Sequence, residues 1–390
     1  MSERRTGFAE GSERMRTKTL SSTVLILLLI GTLLLEFNIQ RVKASGTIYI
    51  RADGSVDPDT APISSVDNVT YTFTGNISID NSNDGIVIQR DNILVDGTGY
   101  TLQGSKRGNG LSWSSVNNVT IKNTNIEDFW IGVYLLSTFS NVISGNNITD
   151  NYISIYLRDS SNNSISKNKI ENNEDSIMLD WSSKNNIFRN NITNNGHGIY
   201  LNSASYNSIS GNSITNNNYY GIWLKNSSNN NIPKNNIVKN NRGVRLYVSS
   251  NNNIPKNNIA NNYYGIWIEY SSSNTIYHNN FVDNTDQVYC YNSTNVWNID
   301  YPSGGNYWSD CTAVDADEDG IGDTAYVIDP NNTDRYPLME LWSCKNNPPD
   351  GDIWNFLDKF GLLAAYIGLV LTIILAIVAT AVLVKHKKKR

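Results

Sequence analysis

Asparagine recurs at a fixed interval through the middle of this chain. Three sets of asparagines each advance by 22 residues, with a single step of 23. A constant interval of this length predicts a repeat architecture in which each interval forms one structural unit. The sets are Asn141, Asn163, Asn185, Asn207, Asn230, Asn252 and Asn274; Asn146, Asn168, Asn190, Asn212, Asn235, Asn257 and Asn279; and Asn151, Asn173, Asn195, Asn217, Asn240, Asn262 and Asn284.

Each repeat also carries three short apolar anchors. The first two are single residues, such as Ile143 and Ile148, and the third is a pair two positions apart, such as Ile155 and Leu157. The i, i+2 spacing places both members on one face of a strand, whereas a helix needs apolar residues at i, i+3 and i+4. We therefore predict an all-β, single-stranded parallel β-helix with three strands per coil, whose coils pair at about 4.8 Å.

The asparagines have two expected structural roles at the corners between strands. Asparagine tolerates the left-handed backbone conformation that a sharp corner needs. Its amide can also bond the identical amide one coil away, which forms a ladder. We interpret the asparagine ladders as structural rather than catalytic. Four glycines that precede the third strand are expected at the same corner: Gly198, Gly221, Gly243 and Gly265.

Both termini carry signals that place the repeats outside the cytoplasm. Arg14, Arg16 and Lys18 precede an apolar run that ends near Val42–Ala44, as in a secretory signal peptide, with an uncleaved anchor as the alternative. The expected domains are a signal peptide (1–44), an N-terminal cap with irregular coils (45–110), regular β-helix repeats (111–300), an Asp-rich closing module (301–343), a linker (344–359), a transmembrane helix (360–384) and a basic tail (385–390).

The apolar segment 360–384 is long enough to span a bilayer, for which about 20 residues suffice. Five basic residues follow it, and positive residues remain on the cytoplasmic side. We predict a single-pass plasma-membrane protein with its β-helix on the extracellular or periplasmic side. A basic tail that binds RNA or lipid is the alternative. The chain has a formal net charge of −5 although both ends are basic, which argues against a nucleic-acid surface.

The three cysteines and the glycosylation sequons fit this location. Cys311 and Cys344 flank the last module, and an oxidising compartment permits a disulfide between them. Cys290 occupies an inward strand position, where it is expected to behave as a small hydrophobic residue. Nine sequons, beginning with Asn68, permit glycosylation if the host has the machinery.

A short acidic segment in the closing module resembles the first part of a calcium loop. Asp315, Asp317, Asp319 and Asp323 stand at loop positions 1, 3, 5 and 9, Gly320 stands at position 6, and the Ile321 carbonyl would supply a further oxygen. Position 12 holds Tyr326 rather than a bidentate Glu, and Asp329 or Asp334 is expected to substitute. We predict a structural calcium site of modest affinity, and a solvated acidic loop is the alternative.

Several segments together resemble a known family over residues 46–340. Thr47 to Val56, the Asn92–Gly97 coil, the Asn-x-Ile repeats and the Gly304–Asp310 module follow one another in order. This pattern is similar to the NosD-type right-handed parallel β-helix family, with its carbohydrate-binding and sugar-hydrolase-like repeats. The resemblance implies a right-handed coil, a periplasmic or cell-surface location and an association with copper. His197, His278 and His386 form no cluster in the sequence, so we do not expect copper here.

One face of the third strand is expected to carry the functional residues. Its outward positions are Tyr134, Tyr156, Met178, Tyr200, Trp223, Arg245, Trp267 and Tyr289. They would align over seven steps of about 4.8 Å, or roughly 34 Å. Exposed apolar rows of this length usually mark interaction sites, and sugars pack their C–H faces on aromatic rings. We predict that the row binds an extended polysaccharide or cell-envelope component, although aromatic pairs that only stabilise the sheet are an alternative.

Other functions remain open at this point. A polysaccharide lyase or hydrolase needs two or three carboxylates close together. Residues one interval apart would lie side by side on adjacent coils, and the best candidate is Asp175 and Asp180 with Trp181, one coil from Arg158. An ion pair on a solvated sheet explains the same residues. We predict a protein that is not an enzyme, with a structural rod, a polysaccharide-active enzyme and a NosD-type copper-handling accessory protein as alternatives.

Overall fold

The computed structural model describes residues 42–44, 46–80 and 84–343, in which strands and bridges are the only regular elements. Two parallel sheets of 12 strands and one of 8 strands run along the chain. In the regular coils each turn of the chain contributes one strand to each sheet. The described residues therefore form a parallel β-helix of the right-handed type, as predicted.

The first sheet collects the short strands that follow the second asparagine of each coil. Its strands, in spatial order, are β1 (Val42–Ala44), β6 (Ile77–Ile79), β9 (Thr101–Gln103), β12 (Asn125–Glu127), β15 (Asn147–Thr149), β18 (Lys169–Glu171), β21 (Asn191–Thr193), β24 (Ser213–Thr215), β26 (Asn236–Val238), β29 (Asn258–Ala260), β32 (Asn280–Val282) and β34 (Tyr307–Trp308). The expected signal-peptide cleavage site, Val42–Ala44, thus forms the first strand of this sheet and pairs with Ile77–Ile79.

The second sheet contains the longest strands, most of six residues. In spatial order they are β3 (Val56–Asp57), β2 (Ile48–Ile50), β7 (Ile86–Ile88), β10 (Asn109–Ser114), β13 (Ile131–Leu136), β16 (Ile153–Arg158), β19 (Asp175–Asp180), β22 (His197–Asn202), β25 (Tyr220–Lys225), β27 (Arg242–Tyr247), β30 (Tyr264–Glu269) and β33 (Asp286–Tyr291). All neighbours except β2 and β3 are parallel.

The third sheet is shorter and continues through bridges. It contains β4 (Ile63–Ser64), β5 (Thr70–Phe73), β8 (Ile93–Asp96), β11 (Val119–Lys122), β14 (Val142–Ser144), β17 (Ser164–Ser166), β20 (Asn186–Phe188) and β23 (Ser208–Ser210). Asn231 bridges β23 to a two-stranded continuation. The remaining strand pairs are β28 (Asn253–Pro255) with β31 (Thr275–Tyr277) and β35 (Tyr326–Asp329) with β36 (Asn332–Asp334).

The predicted apolar anchors fill the interior of the coils. Ile165, Ile187 and Ile209 stack at successive coils of the third sheet and are fully buried. Burial of each such side chain stabilises the fold by about 2 kcal/mol relative to an exposed position. The last coil departs from the pattern, because Val288 and Cys290 are only partly buried there. The interior is therefore a continuous apolar column that loosens at its final coil.

The asparagine ladders form as predicted, and they do more than join amides. The backbone N–H and the side-chain N–H of Asn168 both donate to Oδ1 of Asn190, at 3.1 and 3.0 Å. The side chain of Asn190 in turn donates to the Ile165 carbonyl at 2.9 Å and to Asn212 Oδ1 at 3.0 Å. Each buried asparagine thus satisfies backbone groups that a corner leaves without a strand partner.

The expected left-handed conformation is wrong for the ladder asparagines and holds for the residue before each of them. Lys167, Arg189 and Lys234 precede ladder asparagines and have φ of 56°, 56° and 59°. The ladder positions themselves are absent from the left-handed region. Their side chains must reach both the next coil and the previous one, and the preceding residue supplies the turn that aims them.

The four glycines also act differently from expectation. Gly221 is the second residue of β25, inside a strand rather than at a corner. A Cβ there would lie 2.6 Å from the Gly243 carbonyl oxygen and 2.8 Å from Cγ2 of Ile237. Glycine is required because two backbones approach closely, and not because the position needs a positive φ.

The closing module extends two of the ladders beyond the repeats. Asn295 and Asn306 accept from Asn274 and Asn279 as the next ladder members would. Oδ1 of Asn332 then accepts from the Asn295 N–H at 2.9 Å, and Oδ2 of Asp334 accepts from the Asn306 N–H at 2.7 Å. Burial raises the pKa of Asp334 to about 6. The module therefore ends the β-helix by replacing the missing next coil with single acceptor side chains.

The first compact unit ends at Glu340, and a second begins at Leu341, of which residues 341–343 are described. Within the described ranges no helix is long and apolar enough to cross a membrane. The expected signal core, the linker at 344–359, the span at 360–384 and the tail at 385–390 lie outside those ranges.

Candidate functional site

The outer face of the second sheet carries three rows of side chains along the coils. In strands such as β22 and β25, the first, fourth and sixth residues are partly exposed and the others are buried. The register aligns each of these residues with its equivalent one coil away. Because neighbouring strands lie about 4.8 Å apart, each row is a continuous line of side chains.

The fourth-position row is the predicted aromatic row, which we name the aromatic stripe. The alignment of its members is as predicted, and their role in binding stays a prediction. The aromatic stripe runs through Tyr134, Tyr156, Met178, Tyr200, Trp223, Arg245, Trp267 and Tyr289. Each strand of the second sheet from β13 to β33 contributes one residue to the row, without a gap.

The rings of the stripe contact one another along the coil axis. The pairs are Tyr134 with Tyr156, Tyr200 with Trp223, and Trp267 with Tyr289, at centroid distances of 5.3, 4.3 and 4.2 Å. The rings are half-buried by their neighbours except Tyr289 at the last coil, which is exposed. Contacts of this kind contribute about 0.5–1.5 kcal/mol per pair beyond area burial, so the stripe also stabilises the sheet.

A second set of rings lies at the turn just before these strands. Trp130 and Tyr152 stack at 4.0 Å and are 50% and 44% exposed. Tyr219 and Tyr263 occupy the corresponding turns three and five coils after Tyr152 and are also exposed. These exposed rings show that the edge of the stripe is open to solvent, which is the condition that binding requires.

The first-position row holds residues that the sequence reasoning did not assign to this face. His197 and Arg242 lie on it, in register with Asp175, Tyr220 and Tyr264. The signal was present in the sequence, since counting the repeat interval from Asp175 reaches each of them in turn. Strand alternation does not predict them on this face, because the row lies three positions before the stripe and residues of one strand face share an even offset.

The two acids of the enzymatic candidate lie at opposite ends of β19. The Tyr156 hydroxyl donates to Oδ2 of Asp180 at 2.7 Å, while Oδ1 of Asp180 is buried without a hydrogen-bond partner among the described residues. Arg158 is in register with Asp180 but its ion pair is with Asp159, at 3.8 Å. The exposed ion pair on this part of the sheet is therefore between Arg158 and Asp159 and does not include Asp180.

Asp175 and His197 face each other across one coil step in the first-position row. Burial, with a smaller contribution from the Glu174 charge, raises the pKa of Asp175 to about 6. Burial lowers the pKa of His197 to about 4, because rings of Tyr219, Tyr220 and Trp223 lie 5.0, 5.1 and 5.7 Å away. The imidazole is therefore neutral at physiological pH.

The predicted calcium loop brings three carboxylates together. The oxygens of Asp315, Asp317 and Asp319 lie within 4.8 Å of one another. Repulsion from neighbouring carboxylates, Asp319 first, raises the pKa of Asp317. Asp323 instead accepts the Ala316 N–H at 2.8 Å. Asp329 and Asp334, the expected substitutes for position 12, bind the Asn332 amide and the Asn306 N–H.

The cysteines are only partly within the described residues. Cys311 is half-buried against the core, and its expected disulfide partner Cys344 lies outside the described ranges, so their pairing stays a prediction. Burial raises the pKa of the Cys290 thiol to about 12. A thiol of this kind is an inert packing group rather than a nucleophile.

The described residues do not fit a copper site. The one group of three histidine, cysteine or carboxylate side chains found in them is the all-oxygen set Asp315, Asp317 and Asp319. Copper prefers clustered imidazole, thiolate or thioether. His197 is enclosed by aromatic rings, and Nε2 of His278 contacts the Ser303 carbonyl at 2.7 Å. We derive no copper chemistry for this chain.

Solved structures of similar fold include a tailspike protein, an alginate epimerase and a DFA-IIIase, and at these identities they show the fold alone. The Dettilon tailspike protein is 14% identical with a TM-score of 0.50, over 68% of this chain and 58% of its own. The periplasmic alginate epimerase AlgG is 18% identical (TM-score 0.43; 65% of this chain, 84% of its own). DFA-IIIase from Arthrobacter chlorophenolicus A6 is 12% identical (TM-score 0.41; 60% and 66%).

At the level of sequence, the chain matches a protein family but no curated protein. A family described as "Periplasmic copper-binding protein (NosD)" matches residues 47–218 and 198–313, which together span more than half of the chain. This range contains the repeats and the start of the closing module on which the sequence resemblance rests. The chain therefore belongs to the NosD family.

Proposed function

We propose that this protein is a non-catalytic, membrane-anchored surface protein that binds an extended glycan along the aromatic stripe. The observation that carries the proposal is a row of aligned side chains over eight coils, six of them aromatic, edged by exposed rings at Trp130, Tyr152, Tyr219 and Tyr263. Because rings such as Tyr200 and Trp223 stack along the coil axis, a sugar chain would lie along the row and pack its C–H groups against the outward edges of the rings.

The polar groups beside the rings suit hydroxyl recognition. Asn202 and Lys225 lie in the sixth-position row next to Tyr200 and Trp223 and are partly exposed. Amides, hydroxyls and cations placed beside an apolar platform supply the orientation that binding sites need. The combination of platform and flanking polar groups favours a glycan over a purely apolar ligand.

The experiment is a binding measurement on the full chain with the substitutions Trp223→Ala and Trp267→Ala. Loss of both platforms is expected to weaken glycan binding by about tenfold or more, which corresponds to about 1.4 kcal/mol. Tyr206→Ala is the matched control, because Tyr206 is 63% exposed and lies off the stripe. Unchanged binding in the double variant would refute the proposal and leave the structural rod.

Anchoring and calcium belong to the same proposal. The apolar segment 360–384 would anchor the protein in the membrane with the β-helix outside. Membrane fractionation of a chain truncated before residue 360 tests this anchor. A truncated chain that stays in the membrane fraction would refute it.

The loop at Asp315, Asp317 and Asp319 would bind calcium and stabilise the closing module. Calcium should raise the melting temperature of the full chain, and Asp317→Asn should abolish that increase.

A polysaccharide-active enzyme is the second candidate function. The observation that favours it is the set of buried polar atoms without hydrogen-bond partners in the described residues, Oδ1 of Asp175, Oδ1 of Asp180 and Nδ1 of His197. Such atoms concentrate where a protein performs chemistry. Incubation with polysaccharides followed by assays for new reducing ends and unsaturated products decides between this candidate and binding alone.

A further inference from the structure

The three strands before the last strand of the stripe concentrate positive charge, and the last strand, β33, begins with Asp286. Strands β25, β27 and β30 together carry Lys225, Arg242 and Arg245, against the single carboxylate of Glu269. All four side chains occupy outward positions and are partly exposed. The local surplus of cations contrasts with the acidic character of the chain as a whole.

Arg245 is already neutralised within the protein. Its Nη2 donates to Oε2 of Glu269 at 3.0 Å, and its Nη1 donates to the Tyr220 hydroxyl at 2.6 Å. Its guanidinium also lies over the Trp223 ring, 5.4 Å from the centroid. These contacts hold Arg245 in place, so its charge is not the one left for a ligand.

Arg242 has the opposite environment. Its guanidinium lies 4.3 Å from the Trp267 ring centroid, 5.4 Å from Tyr220 and 5.7 Å from Tyr264. Its Nη1 donates to the side chain of Asn241 at 2.9 Å. Its Nε is buried without a hydrogen-bond partner among the described residues, as is that of Arg245, but Arg242 forms no ion pair with them. Arg242 is therefore a cation that has lost part of its hydration and gained no counter-charge.

The chemistry of this arrangement selects an anion attached to a sugar. A guanidinium presents a rigid planar set of donors that matches a carboxylate or a sulfate in a bidentate manner. The partly apolar surroundings strengthen that interaction relative to water. On the stripe, Trp223 and Trp267 flank Arg245, and Arg242 lies in the first-position row of the same strand. A sugar bound against this part of the stripe would bring its acidic substituent to Arg242.

We propose that the stripe between Tyr220 and Trp267 is a subsite for an acidic sugar residue, whose carboxylate or sulfate is bound by Arg242. This inference rests on the proposed glycan binding and names the class of glycan. Earlier on the same face, β19 carries Asp175, three coil steps or about 14 Å from Arg242, which would repel a second acidic sugar. The expected ligand is an acidic polysaccharide that places its charge at the later coils.

The test compares oligosaccharides of equal length on the full chain: a neutral glucan, a hexuronan and a sulfated glycan. Wild-type protein is expected to bind at least one acidic ligand about tenfold more tightly than the neutral one, with a preference that falls at high salt. Arg242→Gln should remove the preference and keep neutral binding, and Arg242→Lys should restore only part of it because Lys lacks the planar fork. The hexuronan and sulfated arms identify which anion is bound.

Arg158→Gln is the matched control, since Arg158 lies on the same face beside β19 and should leave the preference intact. Unchanged melting temperatures confirm that each variant folds. Equal binding of acidic and neutral ligands, or a preference that survives Arg242→Gln, overturns the acidic subsite while glycan binding stands. Absence of binding to every ligand overturns both proposals.

Discussion

The buried corners and the outer face of the second sheet follow the same repeat but differ in what the repeat preserves. At the corners the same amide recurs in every coil from Asn141 to Asn274. On the face, the aligned position changes from tyrosine to methionine, tryptophan and arginine within a few coils. Each corner must satisfy the same buried backbone groups, whereas the face needs only side chains of suitable bulk, which leaves its chemistry free for function.

The sharpest way to break this comparison is to remove one ladder amide. Asn190→Ala leaves the N–H groups of Asn168 and the Ile165 carbonyl without their buried partners. We expect a loss of about 3 kcal/mol in the free energy of unfolding, because each unsatisfied buried group costs about 1–3 kcal/mol. Chemical denaturation measures it. Asn186 is exposed in the same coil, so the control variant Asn186→Ala should change stability by less than about 0.5 kcal/mol. Equal losses in the two variants would contradict a special role for the ladder.

A second substitution tests close packing beside the corner. Gly221→Ala places a methyl group against the Gly243 carbonyl oxygen and Ile237 and should cost about 2 kcal/mol of folding free energy. Gly211→Asn is the control, because Gly211 has φ of +61° with open space around it, and Arg189 occupies the equivalent turn one coil earlier at 56°. Thermal unfolding of both variants should separate them. A larger loss at Gly211 would show that conformation rather than contact dominates.

The outer face of the second sheet should affect how the folding stability depends on pH, through Asp175. Because the pKa of Asp175 is raised from 3.8 to about 6 in the folded protein, its ionisation opposes folding. Wild-type stability should therefore fall, relative to Asp175→Asn, as pH rises from about 4 to about 6, by on the order of 1.5 kcal/mol. Denaturation of both proteins across this range measures the difference.

Asp53→Asn is the control of opposite sign. Hydrogen bonds from Ser55 lower the pKa of Asp53, so its carboxylate contributes stability above pH 3.8 that is lost as pH falls. Asp53→Asn should therefore lose stability relative to wild type as pH rises. A pH profile of Asp175→Asn that runs parallel to wild type would contradict the buried environment of Asp175.

The smallest effect on stability is expected on the stripe itself. Tyr134 contacts Tyr156 at the early end of the stripe and is partly exposed. Tyr134→Leu keeps apolar bulk and loses one ring pair, so the free energy of unfolding should fall by less than about 1 kcal/mol. Thermal unfolding checks this value. A loss as large as that of Asn190→Ala would mean that the stripe exists for stability, which would favour the structural rod.

The sequence predicted the regular coils in detail. The inward positions of Ile165 and Leu157, the alignment of the stripe and the amide ladders all follow from one interval combined with strand alternation. It did not predict which corner residue adopts the left-handed conformation. Lys167 and Arg189 carry no turn signature, and their conformation is imposed by the hydrogen bonds of the asparagines that follow them.

The candidate site was predicted in part for a similar reason. Tyr200 and Trp223 stand in register because both occupy the same position of the interval. His197 and Arg242 were missed as members of the face because a glycine and a buried residue separate each from the stripe, so strict alternation places them elsewhere. The environment of each side chain depends on neighbours one coil away, which no local pattern describes.

The sequence by itself determined the coil length, the three strands of each coil and the apolar column, because a regular interval allows only one way to bury the same residues in every turn. The tertiary structure alone decided how the column ends and where charge is left unpaired. Asn332 and Asp334 terminate the ladders from positions 37 and 28 residues beyond their partners Asn295 and Asn306. Arg245 forms an ion pair with Glu269, whereas Arg242 contacts aromatic rings and the side-chain amide of Asn241. These outcomes depend on distances across coils, which the folded backbone sets.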